Sequence, residues 1–148
     1  MNYKQLSRMA GLFVACLPLV ACGRASVAEE SASHAVKVEP IEGTGLAHVT
    51  LTAQAAQRLD IQTAAVRSVQ MKGAFQKVVP YSAILYDKEG HAWVYTSLDS
   101  LTFVRAPVTV DHVAGDLAIL SSGPPLGSAV VTVGAAELYG SEEEFEEE

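Results

Sequence analysis

Cysteine is scarce in this chain of 148 residues, and both cysteines lie near its start. Cys16 and Cys22 precede every segment with the pattern of a folded domain, so we predict neither a disulfide nor a thiolate metal site in that domain. Long apolar runs are scarce too. The uncharged stretch Met9–Ala21 is shorter than the roughly 20 apolar residues that a membrane-crossing helix needs.

Catalytic motifs are missing as well. Ser121 and Ser122 precede Gly123 without forming the Gly-x-Ser-x-Gly turn of a hydrolase nucleophile. The sequence contains no phosphate-binding loop and no dinucleotide-binding glycine fingerprint. Four aspartates fall in predicted turns, where this side chain bonds the local backbone: Asp87, Asp99, Asp111 and Asp116. We therefore expect no enzymatic activity.

The four histidines do not form a metal-ligand pattern. They are His34, His48, His91 and His112, and no two of them have the close spacing of a helical or hairpin metal site. We expect solvated or hydrogen-bonded histidines, with no bound metal and no other cofactor.

Acidic residues outnumber basic ones, and the formal net charge is −7. Six of the 17 acidic residues lie in Ser141–Glu148, a block of like charge that predicts a disordered, solvated tail. The alternative for this tail is docking to a basic partner surface, with Phe145 as its apolar contact. A surface this acidic argues against nucleic-acid binding.

The first 23 residues have the organisation of a signal peptide. Lys4 and Arg8 form a positive start, and an apolar stretch follows up to Ala21. The stretch ends in Leu19–Gly23, which resembles the lipobox of bacterial lipoproteins, where cleavage precedes an acylated cysteine. The resemblance implies that residues 1–21 are removed and that Cys22 carries the lipid. The protein is then expected on the periplasmic side of a bacterial membrane.

The segment 22–45 predicts a flexible tether between this anchor and the domain. It is rich in Ala, Ser and Gly and has no aromatic residue or sustained apolar period, so it offers little surface to bury. The domain would thus lie close to the membrane without being embedded in it.

Residues 46–140 predict one mostly β domain, a small β-barrel or β-sandwich with one short helix. Thr52 is placed to cap the helix, which we expect over Ala53–Leu59. Ser82–Tyr86 and His91–Thr96 predict a hairpin, and Thr102–Val110 predicts the longest strand, with an edge or a bulge at Pro107.

Several of these β segments resemble, in order and spacing, the membrane-proximal part of periplasmic adaptor subunits (membrane fusion proteins) of efflux systems. The resembling segments are Val79–Leu85, Ala92–Tyr95, Phe103–Val110 and Val130–Leu138. The resemblance implies contact with an inner-membrane efflux transporter of the resistance-nodulation-division type, or with a full-length adaptor. Phe103 and Arg105 are candidate partner contacts, although a core phenylalanine and a solvated strand arginine are the alternatives.

The chain departs from the adaptor pattern between Val66 and Pro80. Full-length adaptors insert a β-barrel, two lipoyl halves and a helical hairpin there, whereas this chain has only a few residues. The channel-bridging role is therefore not expected. The alternative function is a small periplasmic lipoprotein that binds a ligand or a metal with the same kind of β domain.

Overall fold

A computed structural model describes residues 35–146 of the chain. The predicted signal peptide 1–21, Cys22 and His34 lie outside this range. Among the described residues, no helix combines the length and the apolar character that crossing a membrane requires.

The described chain folds into two antiparallel β-sheets and two α-helices. Its strands are β1 (Val36–Ile41), β2 (Leu46–Leu51), β3 (Gln62–Ala65), β4 (Arg67–Met71), β5 (Ala74–Pro80), β6 (Leu85–Tyr86), β7 (Ala92–Ser97), β8 (Thr102–Pro107), β9 (Thr109–Ala114), β10 (Leu117–Ser122) and β11 (Ala129–Val133). The helices are α1 (Ala53–Arg58) and α2 (Ala135–Glu146), and a 3₁₀ turn covers Tyr81–Ala83.

The larger sheet has the strand order β1-β2-β8-β7-β11-β3, with β6 added to β7. The smaller sheet has the order β4-β5-β10-β9. The prediction of a mostly β fold with a short helix is confirmed, and of the two predicted architectures the molecule has the sandwich rather than a closed barrel.

Two clusters of buried side chains hold the sandwich together. One lies under the helices and includes Val49, Tyr95, Phe103 and Leu138. The other lies between the sheets and includes Val79, Val94, Val108, Leu120 and Val130. Each is mainly aliphatic, and β2 contributes to the first by alternating buried and partly buried side chains.

The short helix forms where the sequence predicts it, whereas the first strand of the predicted hairpin is limited to Leu85–Tyr86, because Tyr81–Ala83 form a 3₁₀ turn. The Thr52 side chain accepts a hydrogen bond from the Ala55 backbone N–H and so caps α1. In the hairpin, β6 pairs with β7 after a turn closed by Gly90, whose φ of 87° is the left-handed conformation that glycine adopts without strain.

The predicted tether is wrong over its second half. Residues 36–41 form β1, which pairs with β2 along its whole length. Ala35, Val36 and Val38 pack against the core cluster under the helices. Average composition concealed the short apolar alternation Val36-x-Val38, which is sufficient for an edge strand once β2 supplies the hydrogen bonds.

The predicted disordered tail is also wrong up to Glu146. Helix α2 runs through Ser141 and on to Glu146, and Glu142 within it is fully buried. A block of glutamates is expected to be solvated only when no basic residue lies beneath it. Here the buried Arg105 lies beneath the helix and pairs with Glu142.

The predicted long strand is divided at Val108. Strand β8 ends at Pro107 in the larger sheet and β9 begins at Thr109 in the smaller one, so the chain crosses between the sheets at a buried Val108. The predicted interruption at Pro107 matches the end of β8. On β8 the buried face carries Phe103 and Arg105.

Candidate functional site

A buried ion pair joins α2 to the larger sheet. The Nε atom of Arg105, on β8, lies 3.0 Å from Oε2 of Glu142, on α2, although its N–H is not aligned for a hydrogen bond. The side chains are 9% and 0% exposed respectively. Removing one charge from such a pair leaves the other buried without compensation, so both are structurally demanding positions.

Aromatic side chains complete this cluster, which we call the helix-docking cluster (Trp93, Tyr95, Arg105, Tyr139 and Glu142). Tyr95 lies directly opposite Arg105 in the β7–β8 register, and its hydroxyl donates a short hydrogen bond to Glu142 Oε2. The guanidinium carbon of Arg105 lies 5.2 Å from the Trp93 ring centroid and 5.3 Å from that of Tyr139. Both rings are within the range of cation–π attraction.

The electrostatics of the cluster favour a neutral tyrosine beside a paired carboxylate. Burial raises the pKa of the Tyr95 hydroxyl far above its usual value, and its hydrogen bond to Glu142 raises it further. A proton-transfer role would require a substrate to reach these atoms, but Glu142 is inaccessible and Tyr95 is fully buried. The arrangement is suited to holding a helix, not to chemistry.

A second polar cluster lies in the β6–β7 turn. Asp87 accepts hydrogen bonds from the backbone N–H groups of Glu89 and His91, from the Trp93 indole at 3.0 Å, and contacts His91 Nδ1 at 2.9 Å. Partial desolvation opposes ionisation, but the bonds from Trp93 and His91 outweigh it and hold the Asp87 pKa well below its usual value.

This turn contains the one set of possible metal ligands found among residues 35–146. Ligand atoms of Asp87, Glu89 and His91 lie within 4.8 Å of one another. Both carboxylate oxygens of Asp87 already accept hydrogen bonds that shape the turn. A metal bound by these oxygens would compete with those hydrogen bonds. The next residue, Lys88, reaches Glu143 of α2 at 2.5 Å and thereby connects the turn to the helix.

An open groove of about 410 Å³ lies beside α1. Its walls are apolar or carry hydroxyl and amide groups: Ala56, Gln57, Ile61, Thr63, Ser97, Ser100 and Phe103. None of these side chains is ionisable. The groove therefore offers a shape for a small uncharged group but no acid, base or metal ligand.

The sequence-predicted site residues divide between the interior, where Phe103 and Arg105 share one face of β8, and the surface. Phe103 is 1% and Arg105 8% exposed, so the structure assigns both to the interior and corrects their prediction as partner contacts and the alternative of a solvated arginine. Phe145 is 42% exposed on α2. Cys22, the predicted lipidation site, lies outside the described residues.

Histidines also differ in setting. His91 contacts Asp87, and His112 contacts the neighbouring Asp111 at 2.7 Å. His48 lies on β2 with a buried Nδ1 that has no hydrogen-bond partner in the described part of the chain. No two of the described histidines share a candidate metal cluster.

Sequence reasoning missed Glu142, the central residue of the helix-docking cluster. A signal was present, because Ala135, Leu138 and Glu142 recur at the three- and four-residue spacing of one helix face. All three are buried on α2. The pattern was missed because the glutamates around Glu142 predict a solvated segment.

Comparison of the chain with protein-family models, with curated proteins and with solved structures finds no match.

Proposed function

We propose that this protein is a lipid-anchored, non-catalytic accessory subunit that contacts an efflux transporter of the resistance-nodulation-division type, or its full-length adaptor, from the periplasmic side. The anchor is the acylated Cys22 that the Leu19–Gly23 sequence predicts. The partner is the one implied by the resemblance to adaptor subunits.

One observation carries the proposal: the segments with adaptor resemblance are neighbours in space. Ala92–Tyr95 lies in β7, and Phe103–Val110 runs from β8, its partner on one side, into β9 of the smaller sheet. Val130–Leu138 covers most of β11, on the other side of β7, and the start of α2. Val79–Leu85 runs from β5 of the smaller sheet to β6, where Leu85 pairs with Trp93 of β7. Segments that are separated in sequence thus form one packed unit, as expected if the resemblance extends over a structural module.

The corrected tether shortens the reach of this module. The described part of the domain begins at Ala35, and a chain from Cys22 to Ala35 extends no more than about 45 Å even when taut. An acylated Cys22 would therefore keep the domain within about one domain diameter of the membrane. Of the predicted partner contacts, Phe145 remains available on the surface of α2.

The test is recovery of the tagged, acylated full chain from detergent-solubilised membranes, with co-purified proteins identified by mass spectrometry. We expect a transporter component or a full-length adaptor to co-purify. The matched control is Cys22→Ser, which has no site for the lipid and is expected to lose the partner together with the membrane. Intact acylated bait that recovers neither component would refute the proposed function.

A second candidate, a small ligand-binding lipoprotein, is favoured by the open groove beside α1. Its lining of Ser97, Ser100, Thr63 and Gln57 suits a small uncharged polar ligand. Native mass spectrometry of the purified chain separates the two candidates. A bound small molecule that is lost in Ser97→Leu would favour the second candidate.

A further inference from the structure

The chain between Ile61 and Tyr86 has a charge opposite to that of the protein as a whole. It contains Arg67, Lys72 and Lys77 and no aspartate or glutamate, in a chain of net charge −7. Arg67 lies on β4, Lys77 lies on β5, and Lys72 lies in the turn between the two strands. The β4–β5 hairpin is therefore a local positive region on an acidic protein.

The end of this hairpin, residues 70–76, is held in a defined shape and projects from the sheet. Lys72 and Gly73 have φ values of 51° and 86°, the pair of positive values typical of a tight two-residue hairpin turn, and Met71 faces Ala74 across it. Strand β10 pairs with β5 only at Lys77–Pro80. The hairpin tip (residues 70–76) thus extends past the ladder that supports the base of the hairpin.

An exposed apolar side chain and an exposed cation, Phe75 and Lys72, lie at the hairpin tip, whereas Arg67 lies at the base of the hairpin, opposite Val78. Phe75 is 77% exposed and faces Gln70 across the strands, so no apolar neighbour covers it from β4. Lys72 and Arg67 are exposed, and neither takes part in an ion pair within residues 35–146. Lys77 donates instead to the Gly123 carbonyl at 3.0 Å, which fixes the base of the hairpin.

Protection of a sheet edge explains part of this pattern. Strand β4 is an edge strand, and cations on an edge oppose pairing with another chain. A large exposed phenylalanine has the opposite effect, because it adds an apolar surface to the same hairpin. Cations beside an aromatic side chain are, by contrast, the composition that binds at a lipid–water interface.

We propose that the hairpin tip docks on a membrane surface bearing anionic lipid headgroups, with Phe75 in the interfacial region and with Lys72 near the phosphates. The proposal rests on the lipid anchor of the proposed function, which would keep the domain beside a membrane, but not on the transporter. The tether permits this contact. Strand β1 and strand β3, which leads into β4, lie at opposite edges of the larger sheet, about 25 Å apart by strand spacing. Strand β4 adds about 17 Å between β3 and the tip, so the tip lies no more than about 42 Å from β1, within the reach from Cys22.

The test measures how deeply a tryptophan at the tip enters the bilayer. The full chain carrying Phe75→Trp is purified from membranes and mixed with vesicles whose acyl chains are brominated, made of phosphatidylcholine alone or with phosphatidylglycerol. The matched control is Tyr86→Trp, because Tyr86 is an exposed aromatic residue on β6, near the acidic turn. Trp93 contributes the same background to both variants.

We expect bromine quenching of the Phe75→Trp signal to exceed that of Tyr86→Trp by at least about twofold, and only in vesicles with phosphatidylglycerol. Adding Lys72→Ala is expected to weaken the association about fivefold, the contribution of one cation near an anionic surface. Equal quenching at the two positions, or quenching independent of phosphatidylglycerol, would overturn the proposal. A tip signal that shifts with protein concentration in the absence of lipid would also overturn it, by identifying a second copy of the chain as the occupant.

These outcomes are independent of the transporter contact in the proposed function, because the comparison is between two positions in one chain. A chain that recovers no transporter can still show deeper quenching at the tip. A chain that binds its transporter can show none.

Discussion

The C-terminal helix α2 and the hairpin tip are charged segments of opposite sign, and they satisfy their charges in different ways. Helix α2 is rich in glutamate, yet it packs on the sheet through Leu138 and the buried Glu142. The hairpin tip is cationic and has an exposed Phe75. One charged segment is docked on the protein itself, and the other projects from it.

The difference comes from what lies beneath each segment. Under α2, strand β8 presents Arg105 between two aromatic rings, which compensates the buried carboxylate. Beneath the tip there is no sheet, because β10 ends its pairing with β5 at Lys77. A charged segment therefore becomes internal only where the fold supplies its counter-charge.

The largest effect is expected from removing the carboxylate under α2. Glu142→Ala leaves Arg105 buried without its partner, and we expect a loss of about 3–5 kcal/mol in the free energy of unfolding, measured by urea denaturation. The control is Glu144→Ala, an exposed position on the same helix, which should change it by no more than about 0.5 kcal/mol. Similar losses in the two variants would mean that the ion pair does not dock the helix.

Removing only the tyrosine hydroxyl should have a smaller effect. Tyr95→Phe removes a hydrogen bond to a charged group, at a cost of about 1.5–3 kcal/mol near neutral pH. The raised pKa of Tyr95 also predicts a pH dependence. Its contribution is complete below the unfolded pKa of about 10 and is lost as the pH rises towards the folded pKa.

Urea titrations between neutral pH and pH of about 11 test this dependence. The wild-type protein should lose stability above pH of about 10 more steeply than Tyr95→Phe, by up to about 1.4 kcal/mol per pH unit. Parallel curves would contradict the assignment of this proton to Tyr95.

Two glycines with positive φ, one before α2 and one in the hairpin turn, allow the backbone of the two segments to be compared. Gly134 precedes α2 with φ of 89°, and an added Cβ would lie 2.2 Å from Ile61 Cδ1, whereas Gly73 in the hairpin turn has φ of 86° and open space around it. Gly73→Ala therefore tests the backbone alone, at about 1 kcal/mol, and Gly134→Ala should cost about 2 kcal/mol because Ile61 must also move. Thermal unfolding of both variants measures the difference, and a Gly73→Ala effect equal to or larger than that of Gly134→Ala would contradict it.

The smallest effect on stability is expected at the hairpin tip. Phe75→Ser removes a side chain that is 77% exposed, so the free energy of unfolding should change by no more than about 0.5 kcal/mol. Association with phosphatidylglycerol vesicles, compared in a Cys22→Ser background that has no site for the lipid, should nevertheless fall, which separates surface binding from folding. A loss of several kcal/mol would instead assign Phe75 to packing.

Much of the β domain could be predicted from local patterns. Thr52 and the alanine-rich turn after it specify α1, the alternation of apolar residues specifies β2, and the aromatic and β-branched run Ala92–Tyr95 specifies β7 without knowledge of their partners. The errors lie where a residue depends on a distant partner. Glu142 is 37 positions away from Arg105 along the chain, and Val36 is paired with Leu51 only after the turn between β1 and β2 has formed.

The candidate sites divide in the same way. The lipobox-like Leu19–Gly23 is a linear signal, so the prediction of lipidation at Cys22 needs no tertiary structure and stays a prediction. Phe103 and Arg105 were predicted partner contacts because strand alternation does not tell which face is covered. Helix α2 covers that face, and no local pattern in β8 announces it.

The sequence by itself therefore determined the β content, the helix cap, the central turn and the cationic character of the β4–β5 hairpin, since each depends on neighbouring residues. Only the tertiary structure decided that the acidic C-terminal segment is a docked helix and that Arg105 is internal, while Phe75 remains exposed. The physical reason is that burying a charge is favourable only beside a compensating charge, and that neighbour is supplied by the fold.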